Sequence, residues 1–379
     1  TFTDTGTNTL TNNVYLTGGT NLARLNINGP VAMNGNYNLQ VGNTAGSRAV
    51  ATFTTNGAFW QAQVGYNNAT AAGALFQSNG TIVITNSADT DDAFVVGRNA
   101  LGAYGYYNMS GGILSNSTRF HVGMGGNGVM DMTGGLVTAP LNYLIIGRNN
   151  LGAGTNYGVV NISGGTMYGA LNNGIRLGND GSTATRMSVA VFNISGTGAL
   201  WGGPAGNTAR YIDMMNTGQT APNVNRCILN LNGGTVVANQ IRVNNITGLA
   251  LLGLNGGLLR ANAGTTLGNS FLDGLTAAYV YPGGAIIDSD TNLITIAQPL
   301  LVPSGYGVTS IAFTPGSGYI GPPVIAVSGG SGTGATAIAQ IDFTSGQITN
   351  IIITSAGSGY QAGDTLTATL IGGAPLVAG

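Results

Sequence analysis

Acidic side chains are the residues of this chain that could do chemistry, and they are sparse. All twelve anionic residues are Asp and all eleven cationic residues are Arg, so Glu and Lys are absent. A glycosidase needs paired carboxylates, and a polysaccharide lyase needs carboxylates beside a base. The one tight cluster is Asp89-Thr90-Asp91-Asp92, just before the strand-like run Phe94-Val95-Val96. It would form an enzyme site only by lining a cleft with Arg98 or Arg119, which the sequence does not favour.

Two acidic segments raise the question of Ca²⁺. Asp89-Thr90-Asp91-Asp92 is either part of a Ca²⁺ site or a solvated corner insertion, and we favour the corner. Asp288-Ser289-Asp290-Thr291-Asn292 resembles the start of an EF-hand loop, which requires Gly at its sixth position and Glu at its twelfth. Those positions hold Leu293 and Pro299. We therefore predict no catalytic, metal or cofactor residue, with Ca²⁺ kept as the less favoured alternative.

His121 and Cys227 are each the single residue of their type. One histidine excludes a multi-His metal site, and no nucleophile elbow accompanies it. His121 lies between Phe120 and Val122 in a strand-like run, so we predict a structural role. One cysteine forms no intrachain disulfide, and the strand-like surroundings of Cys227 favour a small buried side chain.

The composition predicts an all-β chain. Only 6% of residues are charged, 65 of 379 are Gly, and 43% are apolar with a mean hydropathy of +0.22. Asn, Thr, Ser and Gly favour turns, whereas the abundant Val, Ile, Tyr and Phe favour strands. The apolar content is too high for a disordered chain. A net charge of −1 without a basic run indicates no nucleic-acid partner, and no apolar stretch reaches the roughly 18 residues of a membrane span.

A short repeated turn organises the sequence, at a spacing of about 23 to 37 residues that is typical of solenoid coils. Its best copies are Tyr107-Asn108-Met109-Ser110-Gly111-Gly112, Met130-Asp131-Met132-Thr133-Gly134-Gly135, Val160-Asn161-Ile162-Ser163-Gly164-Gly165, Phe192-Asn193-Ile194-Ser195-Gly196, Leu229-Asn230-Leu231-Asn232-Gly233-Gly234 and Leu252-Gly253-Leu254-Asn255-Gly256-Gly257. A second marker lies between these turns, at Val41-Gly42, Val64-Gly65, Val96-Gly97, Val122-Gly123, Ile146-Gly147 and Leu177-Gly178. Two markers in phase indicate that each repeat is one coil.

The strand period of two places Val160 and Ile162 in the core and Asn161 and Ser163 on the water side. The Gly-Gly pair then supplies the positive φ or tight corner that turns the chain into its next face. Coils stack about 4.8 Å apart, so equivalent residues should form ladders along the solenoid.

Ladders explain the shortage of charge, because like charges at that spacing repel whereas Asn, Ser and Thr can bond to the coils on either side. Asp131 is predicted to lie between Asn108 and Asn161. Arg98 and Arg148 should be separated by Met124, so we expect charges that are diluted rather than stacked.

We predict four segments. Residues 1–13 are an extended segment and candidate assembly strand, 14–301 form the coils, 302–307 are a linker, and 308–379 form a small β-repeat domain. In that domain Gly316-Ser317-Gly318-Tyr319 is echoed by Gly357-Ser358-Gly359-Tyr360.

The repeated turn and the stretch Pro282-Gly283-Gly284-Ala285-Ile286-Ile287-Asp288 resemble secreted repeat proteins related to autotransporter passengers, over about residues 14–301. The resemblance implies a right-handed parallel β-helix and an extracellular or cell-surface location. The Gly-Ser-Gly-Tyr repeats resemble short β modules of bacterial surface proteins and phage fibres.

Three functions are compared. The favoured one is a structural subunit of an extracellular filament, sheath or surface layer that associates with copies of itself through solenoid ends and terminal strands. The alternative is an adhesin or carbohydrate-binding fibre that recognises surface glycans through exposed aromatic residues, such as Phe59-Trp60 or Tyr104 to Tyr107. A polysaccharide-degrading enzyme is the least favoured.

Overall fold

The strands form three parallel faces of a solenoid, followed by a small antiparallel sheet. The computed structural model describes residues 8–33, 35–86, 93–138, 140–178, 186–202, 211–215, 225–244, 248–262 and 270–379, and these ranges contain no helix. This all-β parallel solenoid with a C-terminal β sheet confirms the predicted fold class.

Each coil passes through the three faces in turn, in some coils with one long strand in two faces, and strands are numbered in chain order. The first face carries the Asn of the repeated turn and comprises β3 (Leu22–Ile27), β6 (Arg48–Phe53), β9 (Ala72–Gln77), β12 (Tyr104–Met109), β15 (Asn127–Val137), β17 (Gly154–Tyr168), β19 (Arg186–Trp201), β21 (Asn225–Ala238), β23 (Gly248–Leu254), β26 (Ala277–Val280) and β29 (Leu300–Leu301). The second face comprises β1 (Asn8–Leu10), β4 (Val31–Met33), β7 (Gly57–Phe59), β10 (Thr81–Ile84), β13 (Ile113–Asn116), the C-terminal parts of β15, β17, β19 and β21, then β24 (Leu258–Ala261) and β27 (Ile286–Asp288).

The third face is a sheet of eleven parallel strands that carries the Val-Gly marker. It comprises β2 (Val14–Leu16), β5 (Asn38–Val41), β8 (Gln61–Tyr66), β11 (Phe94–Arg98), β14 (Arg119–Met124), β16 (Tyr143–Arg148), β18 (Ile175–Leu177), β20 (Tyr211–Met214), β22 (Gln240–Val243), β25 (Ser270–Asp273) and β28 (Thr295–Ile296). The three faces enclose one apolar core, in which Val160 and Ile162 are fully buried as the strand period predicts.

The six marker glycines have positive φ between 64° and 75°: Gly42, Gly65, Gly97, Gly123, Gly147 and Gly178. At Gly65 a Cβ would overlap the carbonyl oxygen of Tyr104 in the next coil. The marker therefore encodes the corner between the third and first faces, where left-handed backbone and close packing both require Gly.

Charged residues of the third face form a ladder of alternating sign. Arg176 pairs in register with Asp213, Asp213 with Arg242, and Arg242 with Asp273. The Arg242 Nε atom lies 2.5 Å from Asp213 Oδ1. The expectation of diluted charge holds for Met124, which pairs with Arg148. It is wrong for this ladder, because alternating signs make close stacking attractive.

The C-terminal module is a four-stranded antiparallel sheet in the order β32, β31, β30, β33. Its strands are β30 (Val324–Gly329), β31 (Thr333–Asp342), β32 (Gln347–Ser358) and β33 (Leu366–Ile371). In both Gly-Ser-Gly-Tyr copies the two glycines have positive φ, and Tyr319 and Tyr360 are buried.

The module packs on the outer side of the first face. Val159 and Val191 of the solenoid share a buried cluster with Ile320 and Val324 of the module. The Tyr104 hydroxyl donates to the Pro322 carbonyl oxygen at 2.7 Å. The expectation that this side of the first face meets water is therefore wrong where the module covers it.

Candidate functional site

A ladder of amide side chains runs along the first face. Asn161 Nδ2 donates to Asp131 Oδ1 at 2.7 Å, Asn193 Nδ2 to Asn161 Oδ1 at 2.7 Å, and Asn230 Nδ2 to Asn193 Oδ1 at 2.8 Å. These residues pair in register, and Asp131 also pairs with Asn108. The predicted register is confirmed, and the three bonds from Asn230 to Asp131 point the same way, whereas Asn108 Nδ2 donates to the Tyr106 hydroxyl at 2.9 Å.

Asp131 ends the ladder as an acceptor on both sides. Its Oδ1 accepts from Asn161, and its Oδ2 accepts from the Tyr106 hydroxyl at 2.9 Å. A carboxylate has acceptors only, so Asp suits a position where two donors converge. Burial raises the pKa of Asp131, whereas the hydrogen bonds from Asn161 and Tyr106 oppose part of that rise.

A cleft of about 660 Å³ separates this ladder from the C-terminal module. The floor is formed by the outward polar residues of successive coils, among them Asp131, Asn161 and Asn193. The opposite wall includes Ile338 and Ile352. This size lies within the usual range for pockets that bind small molecules.

The solenoid and the module contact each other at two places along the cleft. At one place Phe343 stacks on Tyr106, with ring centroids 5.9 Å apart. At the other, Asn230 Nδ2 donates to Thr336 Oγ1 at 3.0 Å, and the Tyr281 and Ser355 hydroxyls are 3.0 Å apart.

The aromatic residues predicted for an adhesive face lie mainly in the interior. Phe59, Tyr104, Tyr106 and Tyr107 are each at most 1% exposed, whereas Trp60 is partly exposed. Phe59 and Tyr107 lie in the solenoid core, and Tyr104 and Tyr106 are buried beneath the module, so these four rings are not exposed for stacking against glycans.

The EF-hand-like segment folds into a turn held by an ion pair. Asp288 Oδ2 lies 2.8 Å from Arg260 Nη2 of the preceding coil. The Asp290 backbone N–H and the Arg260 side chain keep the pKa of Asp288 below its ordinary value.

Asp89, Asp91 and Asp92 lie outside the described residues. Within the described ranges, no group of three His, Cys, Asp or Glu residues is arranged to hold a metal ion.

His121 and Cys227 are both fully buried. His121 pairs in register with Val95 and Ile145 on the third face. Cys227 lies in the core with Sγ 3.2 Å from the Leu177 carbonyl oxygen, which confirms the prediction of a small buried side chain.

The last coil exposes an apolar end. The sequence predicted association through the solenoid ends but did not identify the aliphatic residues that form this one. Ile286, Leu293, Leu300, Leu301 and Val302 are 56%, 74%, 41%, 41% and 84% exposed. The apolar run Leu300-Leu301-Val302 was the available signal. Ile287, Ile294 and Ile296 pack on the core yet stay only partly buried, as expected for a final layer with nothing stacked on it.

Comparison with protein-family models, curated proteins and solved structures finds no match to this chain. Among the residues that the structure describes, no helix is long and apolar enough to span a bilayer.

Proposed function

We propose that this chain is a structural subunit that assembles end to end with copies of itself into an extracellular filament, sheath or surface layer. The observation that carries the proposal is the last coil, whose strands β27, β28 and β29 pair only with the coil before them among the described residues. Open strand edges are templates for another chain, and the exposed aliphatic side chains beside them favour burial.

The first and last coils present the three faces in the same order. The first described strands, β1, β2 and β3, belong to the second, third and first faces, and so do β27, β28 and β29. Stacking the first coil of one subunit on the last coil of another would therefore continue all three sheets in parallel. The candidate assembly strand contributes β1, which among the described residues pairs only with β4, so its other edge is our candidate for that contact.

The composition and the resemblance to secreted repeat proteins support an extracellular location. A catalytic role has less support, because Asp131 is the one carboxylate among the described residues that line the cleft, and both of its oxygens accept hydrogen bonds.

Charge placed on the apolar end tests the proposal. The variant Leu293→Lys/Val302→Lys should remain folded yet fail to polymerise, because each new contact would bring Lys side chains into a desolvated interface. Leu376→Lys/Val377→Lys is the matched control, since these aliphatic residues of the module are 66% and 61% exposed. Electron microscopy and light scattering should show polymers of the control and monomers of the end variant. Equal polymerisation of both would contradict the proposed interface.

A further inference from the structure

We propose that the cleft between the amide ladder and the C-terminal module binds a neutral oligosaccharide. The inference is independent of end-to-end assembly, because the cleft lies on the flank of the solenoid. Its starting point is the gap itself, a cleft of about 660 Å³ along the first face, beside the contacts that Tyr106 and Asn230 make with the module.

The cleft floor offers hydrogen-bonding capacity that the ladder does not use. A side-chain amide has two N–H donors and two acceptor lone pairs. The ladder uses one donor and one lone pair of Asn161 and of Asn193, which leaves one of each per residue for a ligand. Ser163 and Ser195 also line the cleft, and each carries a hydroxyl group. Sugar hydroxyl groups, which both donate and accept, match this mixed set.

The opposite wall is largely apolar, with Gln340, Thr354 and Ser355 as its polar residues. Ile338, Ile352 and Phe343 line it, and Phe343 is 45% exposed although its ring packs on Phe76 and Tyr106. A pyranose ring carries C–H groups on its faces and hydroxyl groups around its edge. It can therefore place its C–H groups on this wall while its hydroxyl groups reach the ladder.

Charge and periodicity narrow the ligand class. No Arg or His lines the cleft among the described residues, so anionic saccharides find no counter-charge. The lining carboxylate of Asp131 is already held by two donors, which disfavours a cationic ligand. The polar floor repeats with the coils, about 4.8 Å apart, so a ligand made of repeated polar units fits better than a single compact molecule.

Binding of cellohexaose, xylohexaose and maltohexaose to the purified protein, followed by calorimetry and saturation-transfer NMR, tests the proposal. We expect at least one of them to bind. Ile352→Trp should fill the cleft and weaken binding at least ten-fold without lowering the melting temperature. Thr367→Trp, at an exposed position of β33 in the same module, should bind as the wild type does.

A second variant tests direct contact. Ser163→Ala/Ser195→Ala removes two hydroxyl groups from the floor without touching the ladder amides, and should weaken binding several-fold. The proposal is overturned if none of the three saccharides binds at millimolar concentration, or if binding is the same in Ile352→Trp. Tighter binding of oligogalacturonate or of a peptide at this cleft would overturn the assigned ligand class.

Discussion

At the scale of single residues, stacking of the coils places each side chain beside the equivalent side chain of the next coil. An amide can donate to one coil and accept from the next, so Asn161 and Asn193 extend a ladder without accumulating charge. Asp131 lies where Asn161 and the Tyr106 hydroxyl both donate, which explains an acid in an otherwise amide position. Register predicted its ladder neighbours, but the Tyr106 hydroxyl bond depends on side-chain directions that register alone does not give.

Asp131→Asn should change how stability depends on pH. Burial raises the folded-state pKa of Asp131 above its ordinary value, so the folded protein holds this proton more tightly than the unfolded chain. The stability that this group contributes is complete below about pH 4 and is lost as the pH rises through the folded pKa. The Asp131→Asn variant should therefore become more stable relative to wild type as the pH increases.

Urea unfolding of both proteins at about pH 3.5, 5 and 7 measures that difference. Taking the difference in unfolding free energy between the two proteins at each pH removes the contributions of Asp288 and Asp342. Their pKa values are lowered in the fold, so their effect on stability changes with pH in the opposite direction. A difference in unfolding free energy that is constant with pH, or that favours wild type more as the pH rises, would contradict a raised pKa at Asp131.

Gly65→Ala should be far more damaging than Gly46→Ala. Both glycines have a φ of 68°, but a Cβ at position 65 would overlap the Tyr104 carbonyl oxygen, whereas one at position 46 has open space. Positive φ alone costs Ala about 1 kcal/mol. The overlap should raise the loss in unfolding free energy to more than about 3 kcal/mol at position 65. Chemical denaturation measures both unfolding free energies. Similar losses in Gly65→Ala and Gly46→Ala would show that the corner at Gly65 is not tightly packed.

At the scale of elements, the repeated turn and the Val-Gly marker predicted the strands, their parallel stacking and the amide ladder. The docking of the C-terminal module was not predicted, because it depends on contacts between segments more than a hundred residues apart. Adjacent apolar residues such as Val159-Val160 and Val191-Phe192 were the available signal. A strand with apolar residues on both sides is covered on both sides.

The alternating charge ladder should be most sensitive at its buried acid. Asp213→Asn leaves Arg176 and Arg242 stacked on either side without an anion between them, and we expect a loss of about 2 kcal/mol in unfolding free energy. Asp273→Asn, at the exposed end of the same ladder, should cost less than about 0.5 kcal/mol. Adding Arg242→Gln to Asp213→Asn should recover part of the loss in a double-mutant cycle. Additive losses would show that the two residues do not interact.

At the scale of the whole molecule, the solenoid presents its faces in the same order at both ends. The third face contains eleven strands, and at about 4.8 Å per coil the subunit would add roughly 53 Å to a continuous stack. The docked module would decorate the outside of that stack once per subunit. Sequence periodicity predicted the coils, but the exposed end depends on which side chains the last layer leaves uncovered.

The most direct test is electron cryomicroscopy of the native material, with the axial repeat measured from the images. We predict a polymer whose strands stack along its axis at about 4.8 Å, with one lateral module every 53 Å or so. Monomers at all concentrations, or a polymer in which the solenoid axes lie across the filament, would contradict end-to-end assembly.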